Sequence, residues 1–238
     1  MAQAKQKIKE KSDINLDLEE MLKAGLHFGH RTSKLHPKME AFVCGVRNTV
    51  HIIDLEKTAE KFEEALKFIK QLIKEEKVIL LVGTKIQHKE LVKKTAEECG
   101  LPFVINRWLG GTLTNFEVMK KRIAYLKEME ERKKTGGLEK YSKKEKMKIE
   151  KEFRNLEMKF GGIKNLESLP DAVFICDIKK DKTAVKEARM KGIPVIAIVD
   201  TNVDPTLADY PIPANDDAIS SVRYILEKVK KVILEAKK

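Results

Sequence analysis

The stretch NRWLGGTLTNF (Asn106–Phe116) opens a long charged interruption, and KFGGI (Lys159–Ile163) closes it. Inside it, Phe116, Met119, Ile123, Leu126 and Met129 step by three or four residues, and Ile149, Phe153, Leu156 and Phe160 repeat that rhythm beyond Gly136-Gly137. Apolar residues at such intervals line one face of a helix. Two stripes joined around a glycine break predict an antiparallel helical hairpin, residues 107–161, with facing coiled-coil seams. From Glu117 to Phe160, fifteen Lys and Arg stand against nine Glu, a surplus of +6. A projection of this kind suits a large anionic partner better than it suits catalysis.

Outside the interruption the pattern changes. KVILLVG (Lys77–Gly83), LPFVIN (Leu101–Asn106), DAVFICD (Asp171–Asp177) and IPVIAIVD (Ile193–Asp200) are apolar runs of strand length, as in strands covered on both faces. Helical spacing fills the gaps: Thr58–Lys74, Lys85–Cys99, Thr183–Lys191 and Ala218–Ala236, the last capped by Asn215 or Asp216. Strand, helix, strand in succession predicts a parallel sheet. The expected architecture is one doubly wound α/β domain, residues 17–106 and 162–238, with the hairpin inserted near its middle. Upstream, Asp17 caps a short helix within DLEEMLKAGLHFG, HRTSKLHPKM reads as irregular, and AFVCGVRNTVHIIDL as two short strands turning at Arg47-Asn48. Residues 1–16 read as a flexible basic lead-in, and DPTLADYPIPAND as a short strand at best.

The 238 residues carry 48 Lys+Arg against 37 Asp+Glu, a net charge of +11 that attracts polyanions. No apolar run approaches the roughly 20 residues needed to span a bilayer. The first residues lack the apolar core of a secretory signal, and the three separated cysteines, Cys44, Cys99 and Cys176, form no disulfide framework. A cytoplasmic protein with no membrane partner is expected.

Open parallel sheets bind ligands at the carboxyl ends of their strands. Here those ends offer Gly83-Thr84-Lys85, Asn106-Arg107, Asp177 and Asp200-Thr201-Asn202, enough for an alternative reading as a small enzyme acting on a phosphorylated metabolite. Against it, no GxGxxG follows the first strand and Gly83-Thr84-Lys85 lacks P-loop spacing. His27, His30, His36, His51 and Cys44 match no zinc-ligand spacing, so neither a metal nor another cofactor is expected. The stronger signal is cationic. Arg31, Lys34 and Lys38 share one irregular segment, Arg47 sits at a turn, and Arg107-Trp108 opens the interruption. Lys120-Lys121-Arg122, Lys133-Lys134 and Lys143-Lys144 follow within it. Such clusters neutralise phosphates without reading sequence. Trp108 offers either a base-stacking face or an anchor for the hairpin root.

These segments carry recognisable wording. MLKAGLHFGH (Met21–His30), GVRN (Gly45–Asn48), HIIDLEKT (His51–Thr58), VGTK (Val82–Lys85), NRWLGGTLTN (Asn106–Asn115), GIPVIAIVDTNVDP (Gly192–Pro205) and IPANDDA (Ile212–Ala218) occur in this order. The chain resembles the small ribosomal subunit protein two family of bacterial type. That resemblance implies a flavodoxin-like sheet with a protruding coiled-coil hairpin and a non-catalytic role in the small subunit. It also implies binding to small-subunit rRNA and neighbouring ribosomal proteins, including the mRNA-binding ribosomal protein one. Leu35-His36 and Cys44 stand where the family often has aromatic residues nearby, a departure from the family's pattern that bears on any stacking role there.

Overall fold

Asp17 starts α1 (Leu18–Ala24) by accepting the Glu19 amide at 2.8 Å, and Gly25 ends it. The stretch Phe28–Arg31, which straddles the end of the expected helix and the start of the segment read as irregular, is neither. It supplies β1 (Phe28–Arg31), which pairs antiparallel with β3 (Val50–Ile53), itself paired with β2 (Val43–Arg47). The turn between β2 and β3 falls on Asn48-Thr49, both at positive φ (+48° and +64°), as a two-residue hairpin loop demands. The computed structural model describes residues 16–135 and 142–237, so the lead-in 1–15 and the Gly136-Gly137 break lie outside the described residues.

The main sheet follows. α2 (Leu55–Lys74) begins three residues before Thr58 because the Asp54 carboxylate accepts the amides of Glu56 and Lys57. Thr58 instead donates its hydroxyl to Asp54 O at 3.0 Å and Pro213 O at 2.6 Å. Then come β4 (Ile79–Val82), α3 (Lys89–Cys99) and β5 (Phe103–Val104). Beyond them lie α4 (Phe116–Lys134), α5 (Lys143–Phe160), β6 (Ala172–Ile175) and α6 (Lys182–Met190). β7 (Val195–Val199), β8 (Tyr210–Pro213) and α7 (Ile219–Ala236) complete the chain. The five strands are all parallel in the order β5-β4-β6-β7-β8. Counted within the sheet that is 2-1-3-4-5, the flavodoxin-like order, whose topological switch lies between β4 and β6. β5 is shorter than the sequence suggests, since it pairs on one side only and follows Pro102, which has no N–H to donate.

Alternate residues feed two cores. Ile79, Leu81, Phe174, Ile196 and Ile198 face α1, α2, α3 and α7 through Met21, Phe62, Leu66, Val92, Ile225 and Val229. Leu80, Val82, Val173, Ile175, Val195 and Ala197 face the other layer, built from α6 and from Trp108, Leu113, Ile123, Leu126 and Phe160. The apolar stripe of α4 is therefore not spent on α5 alone. Its Ile123 and Leu126 are buried against the sheet, at 4% and 1% exposure. Gly162, just after α5, lies so close to β5 that any Cβ there would collide with the Phe103 carbonyl. Between α4 and α5, the Tyr125 hydroxyl lies 3.4 Å from Glu152 Oε1 and the Lys133 ammonium 5.1 Å from the Phe153 ring centroid. α5 opens with a capping box, Ser142 with Glu145.

Candidate nucleic-acid interface

The crevice at the strand ends is already occupied by the chain itself. At the switch between β4 and β6, Lys85 places its Nζ 3.1 Å from Asp177, 3.1 Å from Asp216 and 2.7 Å from Asp217. It also donates to the Asp216 carbonyl at 3.0 Å. This reach explains why α3 begins at Lys89 rather than Lys85: the residues between carry Lys85 over the strand ends, and Thr84 donates its hydroxyl to the buried Asp181 at 2.7 Å. From the small antiparallel sheet, Gly29 and His30 close the crevice. A Cβ at Gly29 would sit 2.6 Å from Thr201, and the His30 amide donates to the Thr201 hydroxyl at 2.8 Å. The His30 ring lies 3.1 Å from Asp200 and 3.5 Å from Asp217.

The electrostatics here repel a phosphate. Four aspartates, 177, 200, 216 and 217, surround one lysine and one histidine. Burial, with Asp177 and Asp200 nearby, pushes the Asp216 carboxyl up to about 7. Its hydrogen bond to Asp200 raises the His30 imidazole. His88, fully buried beside Lys85, is pushed down to about 4 by desolvation, so it is neutral at pH 7. His30, Asp200 and Asp217 hold ligand-type atoms within 4.8 Å of one another, a donor set that could accept a divalent cation. No nucleophile, base and orienting group assemble here as a catalytic triad would require.

The root of the interruption is held by a residue that sequence patterning passed over. Glu187, on the inner face of α6, accepts the Trp108 indole N–H at 3.1 Å and the Gly111 amide at 2.8 Å on one oxygen. The Leu113 amide (2.9 Å), Thr114 amide (3.2 Å) and Thr114 hydroxyl (3.3 Å) reach the other oxygen. Burial works to raise its pKa, but these amides and the indole hold it below the usual carboxylate range. Trp108 is only 7% exposed, with its N–H consumed. A base has no face to stack on there, so the anchor alternative describes its surroundings and Trp108 drops out of the contact set.

The remaining candidates sit on the surface. Arg31, Lys34, Arg47, Arg107, Lys120, Lys121, Arg122, Lys143 and Lys144 are all exposed, and none has an ion-pair partner among the described residues. Three others are partly committed. Lys38 pairs with Asp204 at 2.8 Å, Lys134 with Glu130 at 3.1 Å, and Lys133 with Glu150 at 3.9 Å. They fall on two sets of elements: Arg31, Lys34, Lys38 and Arg47 belong to the three-stranded sheet and its margin, the rest to α4, α5 and the loop before them.

A five-stranded parallel sheet with a self-filled crevice, and exposed cations without ion-pair partners among the described residues on its outer elements, defines an α/β protein with a cationic surface. The sequence profile described as ribosomal protein S2 matches residues 21–236, and the chain belongs to that family. It is similar to the small ribosomal subunit protein uS2 of Dictyoglomus thermophilum, 48% identical over 220 residues, covering 92% of this chain and 89% of that protein. Membership makes the chain a structural component of the small ribosomal subunit, working in translation within a ribonucleoprotein of rRNA and other ribosomal proteins, and not an enzyme. Among the described residues no helix is long and apolar enough to cross a membrane.

Proposed function

We propose that this chain grips small-subunit rRNA through an inserted antiparallel coiled-coil arm, residues 107–161, carried by the α/β body of residues 17–106 and 162–238. The observation that carries this reading is Lys120-Lys121-Arg122. All three are exposed without carboxylate partners among the described residues, on a helix whose Ile123 and Leu126 are fixed in the body's core. Cations held on a rooted helix lose little further freedom on meeting phosphate, which favours binding. Arg31, Lys34 and Arg47 supply a second contact from the small sheet, and Arg107, Lys143 and Lys144 extend the first. The protein works in the cytoplasm, and its body faces neighbouring proteins, the mRNA-binding ribosomal protein one among them.

The test is direct. Purified small subunits should hold about one copy of the chain, and its affinity for small-subunit rRNA should fall as salt rises. Binding that ignores salt would refute the phosphate reading, and absence from subunits would refute the assembly.

A further inference from the structure

One strongly charged surface belongs to neither the arm nor the small sheet. The segment KKDKTAVKEARMK (Lys179–Lys191) holds six cations and two acids. Both acids turn inward: Asp181 is 3% exposed and bonded to Thr84, and Glu187 is 6% exposed and bonded to the loop at residues 108–114. All six cations turn outward, and none has an ion-pair partner among the described residues. Lys182, Lys186 and Arg189 recur at i, i+4 and i+7, so they share one face of α6 over about 10 Å.

We propose that this outward face, with Lys179, Lys180, Lys182, Lys186, Arg189 and Lys191, is a second surface for the rRNA phosphate backbone. It rests on the reading of the chain as an rRNA binder and adds a place the arm does not include. Glu187 links the two surfaces. Its backbone lies on α6 while its carboxylate holds the residues that lead into α4, so the cations of α6 and those of α4 keep one relative position. Lys191 and Lys120 line a common groove of about 430 Å³ beside the start of α4, together with Glu117 and Glu167. Chemistry favours a nucleic acid over a protein. Protein interfaces are depleted in Lys and need a desolvated apolar centre, whereas α6 offers a single exposed apolar residue, Met190. Lysine serves phosphate as a point charge.

The experiment measures affinity of the full chain for small-subunit rRNA across about 50–200 mM salt, comparing the natural protein with Lys182→Gln/Lys186→Gln/Arg189→Gln. Each lost phosphate contact should lower the log–log salt slope by about 0.7–0.9, so the variant's slope should fall by roughly 2 and its affinity by about 10-fold. Lys179→Gln/Lys180→Gln, outside the helix, should lower the slope by roughly 1.5 and does not depend on α6 tolerating three changes. Unchanged slopes in both variants overturn the proposal while leaving the arm reading intact. Unchanged slopes with poorer incorporation into subunits also overturn it, and assign the face to an acidic protein. A natural protein with no salt dependence overturns both readings.

Discussion

Lys85 and Lys120 show how one residue type takes opposite roles in the same chain. Lys85 lies at the switch point of a parallel sheet, where a ligand's phosphate would ordinarily bind, yet three carboxylates hold its ammonium within 3.1 Å. Lys120 stands on the outer face of α4 with no such partner among the described residues. The first charge is spent on folding; the second is available to a partner. Position in the fold does not decide function here; the local balance of charge does. The place where an α/β enzyme would work is filled by the protein's own side chains, and the cations without ion-pair partners among the described residues lie at the periphery.

Exchanging Lys85 for methionine breaks the comparison on its folding side. Asp177 and Asp216, both buried, would lose their counter-charge, and breaking such a pair costs about 3–5 kcal/mol. Chemical denaturation should show that loss, while the rRNA affinity of the remaining folded molecules stays unchanged. Reversing Lys120, Lys121 and Arg122 to glutamate should do the opposite: affinity for rRNA falls on the order of 100-fold and the denaturation midpoint barely moves. Loss of stability without loss of affinity would show that α4 holds no RNA.

Glu187 stands between these extremes, because its buried charge organises the loop that leads into α4. Glu187→Gln replaces one acceptor with an N–H that confronts amide donors, a cost of roughly 2 kcal/mol. Hydrogen exchange should accelerate at the Gly111, Leu113 and Thr114 amides first. The pH sign follows from the lowered pKa: the carboxylate's contribution is complete above its unfolded value near 4.5 and is lost as pH falls through the lower folded value. The natural protein's protection at these amides should therefore persist at pH 5 and fade only as pH falls through the lowered folded value, whereas the Gln variant shows no such step. The smallest effect belongs to Lys38→Ala. Its pair with Asp204 is half exposed, worth under about 1 kcal/mol, and its ammonium is already engaged, so rRNA affinity should change less than that of Lys34→Ala.

The sheet was legible in the sequence because its strands are unbroken apolar runs between helical stripes, a pattern with few other solutions. The boundaries that moved did so for reasons periodicity cannot carry. Asp54 starts α2 ahead of Thr58 through side-chain capping, and Lys85 delays α3 by reaching for carboxylates that lie 92 to 132 residues away in the chain. β1 escaped notice because four residues that include a glycine, a histidine and an arginine carry no strand signal of their own; they pair because β3 presents an edge. The candidate cations were readable as clusters, but not which of them pair internally. Glu187 was hidden by its type, since a lone glutamate on a charged helix looks solvated until the loop folds over it. The spread of six cations from Lys179 to Lys191, broken by apolar residues and two acids, concealed that surface, because only burial shows that both acids turn inward.

Lysine footprinting by acetylation and mass spectrometry, on the free protein and on assembled small subunits, tests the account most directly. Lys120 and Lys121 should react freely in solution and become protected in the subunit, while Lys85 stays equally unreactive in both. Lys120 and Lys121 equally reactive in both states, or a Lys85 that becomes accessible or newly protected on assembly, would contradict it.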